Sequence, residues 1–150
     1  MPAPYRSIAC CISADPASEH VIAEAVALRD ASHGELHLVT VVGPAHTSLA
    51  GPFSYYSDPP GVLEDRAAEW LAERVARTPG AVPVVLDGYP PRAVCQWAGA
   101  NGIDLIVAAA HRGFVERTLL GGFASYVAYH APCPVLLVRP PAVPEGPEAG

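Results

Sequence analysis

The stretch that decides the fold reads Asp104-Leu-Ile-Val-Ala-Ala-Ala-His-Arg-Gly-Phe-Val-Glu-Arg-Thr-Leu-Leu-Gly-Gly-Phe-Ala-Ser125, followed after four residues by His130-Ala-Pro-Cys-Pro-Val-Leu-Leu-Val138. An apolar run leads into a polar loop, a Gly-Gly pair opens a short helical segment, and a proline introduces a second apolar run. This order is typical of a strand–loop–helix–strand unit. Because glycines and a helix N-terminus let backbone amides approach an anion, the loop is a candidate anion cradle.

The same alternation of patterns continues toward the amino terminus. Short apolar runs predict five strands, at Tyr5–Ile12, Glu35–Val42, Val82–Leu86, Ile103–Ala109 and Val135–Val138. Apolar residues at helical spacing predict four helices, at Glu19–Ser32, Val62–Arg77, Pro91–Ala100 and Gly121–His130. We expect Asp15 or Ser18 to cap the first helix and Gly34 to end it. Strands that alternate with helices predict an α/β fold with a five-stranded, parallel, doubly wound sheet.

Length and composition favour one globular domain. The chain has 150 residues, of which 51% are hydrophobic and 16% are charged, which is too apolar for a disordered chain. We place the domain at residues 1–139. Residues 140–150 are rich in proline and glycine and are expected to form a disordered tail.

Charge and hydropathy argue against two classes of partner. The net charge is −6, and the nine basic residues, all arginine, form no basic run that would attract nucleic acid. No run of about 18 apolar residues is present, and the first residues lack the pattern of a signal peptide, so we expect a cytoplasmic protein without a membrane span.

The residue types that usually carry metal binding or catalysis are not arranged for either. The four cysteines, Cys10, Cys11, Cys95 and Cys133, have no C-x-x-C spacing and are expected to be reduced, mostly buried thiols. The histidines have no ligand spacing with the cysteines. Ser125 and His130 lie five residues apart on a helix, which does not aim them at each other. We therefore expect no metal site, no catalytic residues and no enzyme activity.

Ligands of doubly wound sheets bind at the carboxyl ends of the strands, near the switch in strand order. Three segments meet this description: the turn after the first strand, with Ile12, Ser13 and Asp15, the end of the second strand at Val41, and the loop that begins at Ala109. The predicted topology alone brings these segments together.

The residues of the opening stretch resemble the universal stress protein family. The resemblance rests on Asp104-Leu-Ile-Val107, His111, Arg117, Leu119-Leu120-Gly121 and His130-Ala-Pro-Cys-Pro-Val-Leu-Leu-Val138, and it extends over residues 5–139. It implies a Rossmann-like fold of the adenine nucleotide alpha hydrolase type with strand order 3-2-1-4-5. It also implies a role in the stress response.

The nucleotide motif of that family is only partly present. Nucleotide-binding members resemble one another in the pattern G-x-x-G, nine residues, G-[Ser/Thr]. Here the first two glycine positions fall on Ala109 and Arg112, eight residues lead to Gly121, and Gly122 lacks the expected hydroxyl. The acidic residue that the family places after its first strand falls on Ser13. Asp15, two residues later, stands where the family usually has Ser and would replace the acid only if the turn shifts. Ile12, Val41, His111 and Phe123 complete the candidate site.

These departures predict a regulatory or binding protein of the stress response with a degraded nucleotide cleft and without ordinary ATP binding or another cofactor. The alternative is a protein that binds ATP or AMP, with Arg112 and the helix N-terminus at Gly121-Gly122 holding phosphate. Arg112 would otherwise fold over an empty cleft or pair with Glu116 or Asp15. His111 either touches a ligand or holds its loop by hydrogen bonds.

Two further surfaces are candidates for contacts with proteins. The fifth strand is short and apolar, and the family commonly dimerises through it, so the resemblance implies a homodimer through residues 134–139. Residues 43–60 form a long connection with clustered Phe53, Tyr55 and Tyr56, which would suit a partner-binding module.

Overall fold

A computed structural model of the protein describes residues 4–43, 61–110 and 122–139. Five parallel strands form one sheet in the order β3-β2-β1-β4-β5, which confirms the expected fold class and strand order. The strands are β1 (Ser7–Cys11), β2 (Glu35–Val42), β3 (Val82–Asp87), β4 (Leu105–Ala109) and β5 (Val135–Val138). The helices are α1 (Ser18–Ser32), α2 (Val62–Ala76), α3 (Pro90–Ala100) and α4 (Gly122–His130).

The two faces of the sheet carry separate hydrophobic clusters. Ile8 and Cys10 of β1 pack with residues of α1 and α2, whereas Ala9 and Cys11 pack with residues of α3 and α4. Successive side chains of a strand point to opposite faces, so a strand that is covered on both sides must be apolar at every position. This explains why β4 and most of β1 are continuous apolar runs in the sequence.

The start and end of α1 differ from the prediction. The N-cap residue is Ala17, without a side-chain cap, so neither Asp15 nor Ser18 caps the helix in the expected way. His33, not Gly34, adopts the left-handed conformation at the C-cap, with φ of 53°. Gly34 has a different role, since a Cβ atom there would lie 2.6 Å from the carbonyl oxygen of Tyr5. Close approach of two backbone segments, not a positive φ, therefore requires this glycine.

The carboxylate of Asp104 ties the starts of the two central strands together. Its two oxygens accept hydrogen bonds from the amides of Arg6, at 2.8 Å, and Ser7, at 3.0 Å. The amide of Asp104 in turn donates to the carbonyl oxygen of Ser7, at 2.9 Å. Hydrogen bonds to charged acceptors are among the stronger ones in proteins, so this residue fixes the register of β1 against β4.

The buried thiols lie where the sequence predicted. Cys10 and Cys11 are buried on opposite faces, and Cys95 and Cys133 are half-buried, all four without a disulfide. Burial raises the pKa of the Cys10 thiol, and the adjacent Cys11 adds to the effect. Burial likewise raises the pKa of Cys11. A high pKa leaves little of the reactive thiolate at neutral pH.

Within the described ranges, no helix is both long and apolar enough to cross a membrane. Those ranges also contain no group of three or more His, Cys, Asp or Glu side chains placed to hold a metal ion. The predicted tail at 140–150 and residues 44–60 of the long connection lie outside the described residues.

Replacing Asp104 with Ala is expected to lower the free energy of unfolding by about 2 kcal/mol, because two backbone amides lose a charged acceptor. Urea denaturation measures this change. Asp87→Ala, which removes an exposed carboxylate at the end of β3, is the matched control and should change stability by less than about 0.5 kcal/mol. Equal stabilities of the two variants would contradict the assigned role of Asp104.

The buried thiols also predict a loss of stability at alkaline pH. Above about pH 8.5 the thiols of the unfolded chain ionise, whereas the folded chain keeps the Cys10 proton. The unfolded state then binds fewer protons, so the free energy of unfolding falls as pH rises, by up to about 1.4 kcal/mol per pH unit for each such thiol. Between pH 7 and 10, the free energy of unfolding measured by urea denaturation should decline less steeply for Cys10→Ala than for Cys95→Ala. Parallel declines would refute the assignment.

Candidate functional site

The carboxyl ends of β2, β1 and β4 lie side by side, as the sequence predicted. The register pairs Cys11 with Val39 on one side, and Cys10 with Val107 on the other. The amide of Ile12 extends the pairing, since it donates to the carbonyl oxygen of Val39 at 2.9 Å. Continued at this register, Ser13 lies level with Val41, and Ile12 lies level with Ala109. Residues that are about 100 positions apart in the sequence therefore lie together at the carboxyl edge of the sheet.

The turn from β1 into α1 is held by a residue that the sequence did not single out for this role. The hydroxyl of Ser18 donates to the carbonyl oxygen of Ser13 at 2.8 Å and accepts from the amide of Ser13 at 3.0 Å. Both serines are buried, so these bonds satisfy backbone groups that water does not reach. A Ser pair five residues apart is not a recognised capping pattern, and only the folded turn brings the two together.

The polar side chains of this turn bond within it. The hydroxyl of Ser13 accepts from the amide of Asp15 at 3.4 Å, and a carboxylate oxygen of Asp15 accepts from the amide of Ala17 at 2.8 Å. This is the arrangement of an Asx turn, in which a short carboxylate takes the place of a backbone acceptor. Ser13 thus presents a small neutral group at the position where the family places an acid.

Three of the predicted site residues have side chains that point into the core. Ile12, Val41 and Phe123 are almost fully buried and belong to the hydrophobic clusters. Only their backbone groups are suited to contact a ligand at this edge. The carbonyl oxygen of Val42 is already engaged, since it accepts from the amide of Gly88 at 2.9 Å.

The end of β4 is joined to β5. Ala109 pairs with Val138, and the next amide, that of Ala110, donates to the carbonyl oxygen of Val138 at 2.8 Å. The half-buried Ala109 carries a methyl group at the first glycine position of the phosphate motif. A Cβ at this position keeps a ligand farther from the backbone than a glycine would.

The amino end of α4 begins at Gly122, which is exposed. A Cβ atom built there would meet no heavy atom of residues 4–43, 61–110 and 122–139 within 4 Å. The amides of the first helical turn have no acceptor within the helix, and they lie at the positive end of its dipole. Phe123 anchors this turn in the core. Nothing in the described part of the chain would clash with a hydroxyl-bearing side chain at Gly122.

Seven of the ten predicted site residues lie among the described residues. Ile12, Ser13, Val41 and Ala109 share the edge by register, and Asp15 lies in the turn after β1. Phe123, which follows Gly122, packs in the same cluster as Val41. His111, Arg112 and Gly121 lie outside the described residues. Among the seven, Asp15 carries the one ionisable side chain, and the others are serine, glycine or apolar residues.

Comparison with known proteins gives the same family by sequence and by fold. Residues 4–139 match the model of the universal stress protein family. The chain is 36% identical over 122 residues to a Thermus aquaticus protein, the universal stress protein in the 3' region of the QAH/OAS sulfhydrylase. That match covers 78% of this chain and 88% of the relative.

Two solved structures show the fold independently. Universal stress protein UspA from Lactobacillus plantarum has a TM-score of 0.68 at 25% identity, with 91% of this chain and 99% of that chain covered. A universal stress protein in complex with cAMP has a TM-score of 0.68 at 18% identity, covering 91% of this chain and 98% of its own. Because the family model matches residues 4–139 and the Thermus aquaticus relative is 36% identical, this chain belongs to the universal stress protein family.

Proposed function

We propose that this protein is a non-enzymatic, cytoplasmic binding protein of the stress response whose edge cleft does not bind ATP in the manner usual for its family. The observation that carries the proposal is the turn at Ser13. Its hydroxyl and backbone groups are engaged with Ser18 and Asp15, and its side chain is buried and neutral. An acid at this position would offer a charged acceptor to a sugar hydroxyl, which a serine does not replace.

The phosphate side of the cleft supports the same proposal. The methyl group of Ala109 occupies a glycine position, and Gly122 lacks the hydroxyl that would reach a phosphate oxygen. Each loss removes one contact, and a triphosphate depends on several such contacts at once. ATP is therefore affected more than a ligand with a single phosphate.

A second candidate function is the binding of an adenine nucleoside monophosphate. One relative of the same fold is a complex with cAMP, which carries one phosphate. The amino end of α4 is exposed at Gly122, and the described residues leave room there for a single anionic group. In this case Arg112 would supply a charge-assisted hydrogen bond that compensates for the missing glycine.

Calorimetry with ATP, AMP and cAMP distinguishes the two functions. We expect no ATP binding tighter than about 1 mM, and mass spectrometry of the denatured protein should release no stoichiometric nucleotide. Micromolar binding of AMP or cAMP that Arg112→Ala abolishes would establish the second function. Micromolar binding of ATP by the unmodified protein would overturn the first.

A variant designed to bind ATP tests whether Ser13 and Gly122 account for the expected weak ATP binding. Restoring the family residues with Ser13→Asp and Gly122→Ser should raise ATP affinity at least tenfold, because each change adds one hydrogen bond to the ligand. Gly99→Ser is the matched control, an exposed helical glycine on α3 where a Cβ meets only the Pro132 side chain at ordinary distances of 3.8 and 3.9 Å. An unchanged affinity in the double variant, measured on folded protein, would contradict this account of the cleft.

We further propose that the protein forms a homodimer through residues 134–139. Both sheet edges expose one large apolar side chain, Val82 of β3 at 39% and Leu136 of β5 at 37%. The β3 edge contains Pro83, which cannot donate to another strand, whereas β5 has four apolar residues and no proline. An unprotected apolar edge suits isologous pairing with a second copy of itself.

Leu136→Arg should convert the dimer to a monomer of about 15.6 kDa, measured by light scattering on a sizing column. Leu136 is a cleaner probe than Leu137, which packs against the core beneath α3 and α4. Val82→Arg places the same charge on the opposite edge and should leave the mass unchanged. A dimeric Leu136→Arg variant would refute the interface, as would dissociation by Val82→Arg.

A further inference from the structure

A groove of about 300 Å³ lies between α1 and the carboxyl end of α2, away from the edge cleft. Ile22, Ala23 and Val26 of α1 form its apolar side. The guanidinium-bearing side chains of Arg29, Arg74 and Arg77 also line it. Three of the nine basic residues of an acidic chain therefore converge on one depression. Its volume is at the lower bound of small-molecule sites.

Two of these guanidinium groups are held in place by the backbone. Arg29 donates to the carbonyl oxygen of Pro79 at 2.8 Å, and Arg74 donates to that of Trp70 at 2.9 Å. The guanidinium carbon of Arg74 also lies 3.8 Å from the centroid of the Trp70 ring. A ligand that binds them does not have to order two long side chains, which is a major cost of binding.

One donor of this cluster is not used within the described part of the protein. The Nε atom of Arg74 is buried and has no hydrogen-bond partner there. An unsatisfied charged donor is costly in a protein interior.

Each of the three arginines has an acidic partner, and all three partners are exposed carboxylates. Glu19 is the one carboxylate among the lining residues, and its oxygen lies 3.8 Å from the Arg77 nitrogen, with both side chains more than half exposed. The partners of Arg29 and Arg74 are Asp30, at 3.0 Å, and Glu73, at 3.9 Å, and neither lines the groove. Pairs with such exposed carboxylates contribute little stabilisation and are readily exchanged for another anion.

We propose that this groove binds a small amphipathic anion, an organic carboxylate with an aliphatic body. The aliphatic part lies on Ile22, Ala23 and Val26, and the carboxylate is bound by Arg77 together with Arg29 or Arg74. Guanidinium groups match the fork of a carboxylate, and the apolar side adds burial that an inorganic anion cannot use. The proposal is independent of nucleotide binding, because no residue of the edge cleft lines this groove.

Octanoate, 1-octanol and acetate serve as the probes. In titrations of the folded dimer or monomer followed by amide NMR, octanoate should give saturable shifts at residues 22–29 and 74–79. Acetate lacks the aliphatic body and octanol lacks the charge, so each should bind at least about tenfold more weakly. Octanol binding as tight as octanoate would overturn the assigned charge recognition, and so would an absence of saturable octanoate shifts.

Two pairs of variants locate the site. Arg77→Gln should weaken octanoate binding about tenfold, whereas Arg92→Gln on α3 should not change it. Ala23→Trp should fill the groove and abolish binding, whereas Ala27→Trp adds the same bulk to an exposed position of α1 outside it. Arg77 and Ala23 are exposed, so folded variants are expected, which circular dichroism verifies. Unchanged affinity in Arg77→Gln or in Ala23→Trp would refute the proposal.

Discussion

Burial of the sheet on both faces is the constraint on which the rest of this structure depends. Ile8, Ala9 and Cys10 in β1 have no exposed surface, so successive residues of one strand must satisfy two different hydrophobic clusters. Polar side chains are thereby excluded from most positions of the central strands. Polar groups are therefore concentrated in the turns at the ends of the strands, and in doubly wound sheets ligands bind at the carboxyl edge.

The same constraint explains why the fold was readable from the sequence. A strand that is buried on both faces has no alternation of apolar and polar residues and is bounded by turn residues. Such a run predicted a strand at Ile103–Ala109, and β4 extends over Leu105–Ala109. The order of strands came from the resemblance, since periodicity does not specify neighbours. The edge position of β3 was indicated by Pro83.

The details that the sequence did not reveal depend on how separate segments meet. Gly34 was read as a helix terminator because glycine favours positive φ, yet its role is contact with the start of β1. The bond between Ser18 and Ser13 requires the turn to fold before it exists. Such contacts have no periodic signature. The sequence therefore identifies the family more readily than a ligand. The family is indicated by long apolar runs, whereas ligand binding depends on single residues in turns.

The two ends of the sheet are built for different purposes. At the amino end, Gly34 lies against the backbone of Tyr5 and Arg6, and the amide of Glu35 donates to the carbonyl oxygen of Arg6. The Asp104 carboxylate accepts from the amides of Arg6 and Ser7. Three segments of the chain are locked into one layer there. A sequence change at that end must be accommodated by all three segments together. At the opposite end, bonds such as those from Ile12 to Val39 and from Ala110 to Val138 run between backbone groups, so a change of an exposed side chain there leaves the strands in place.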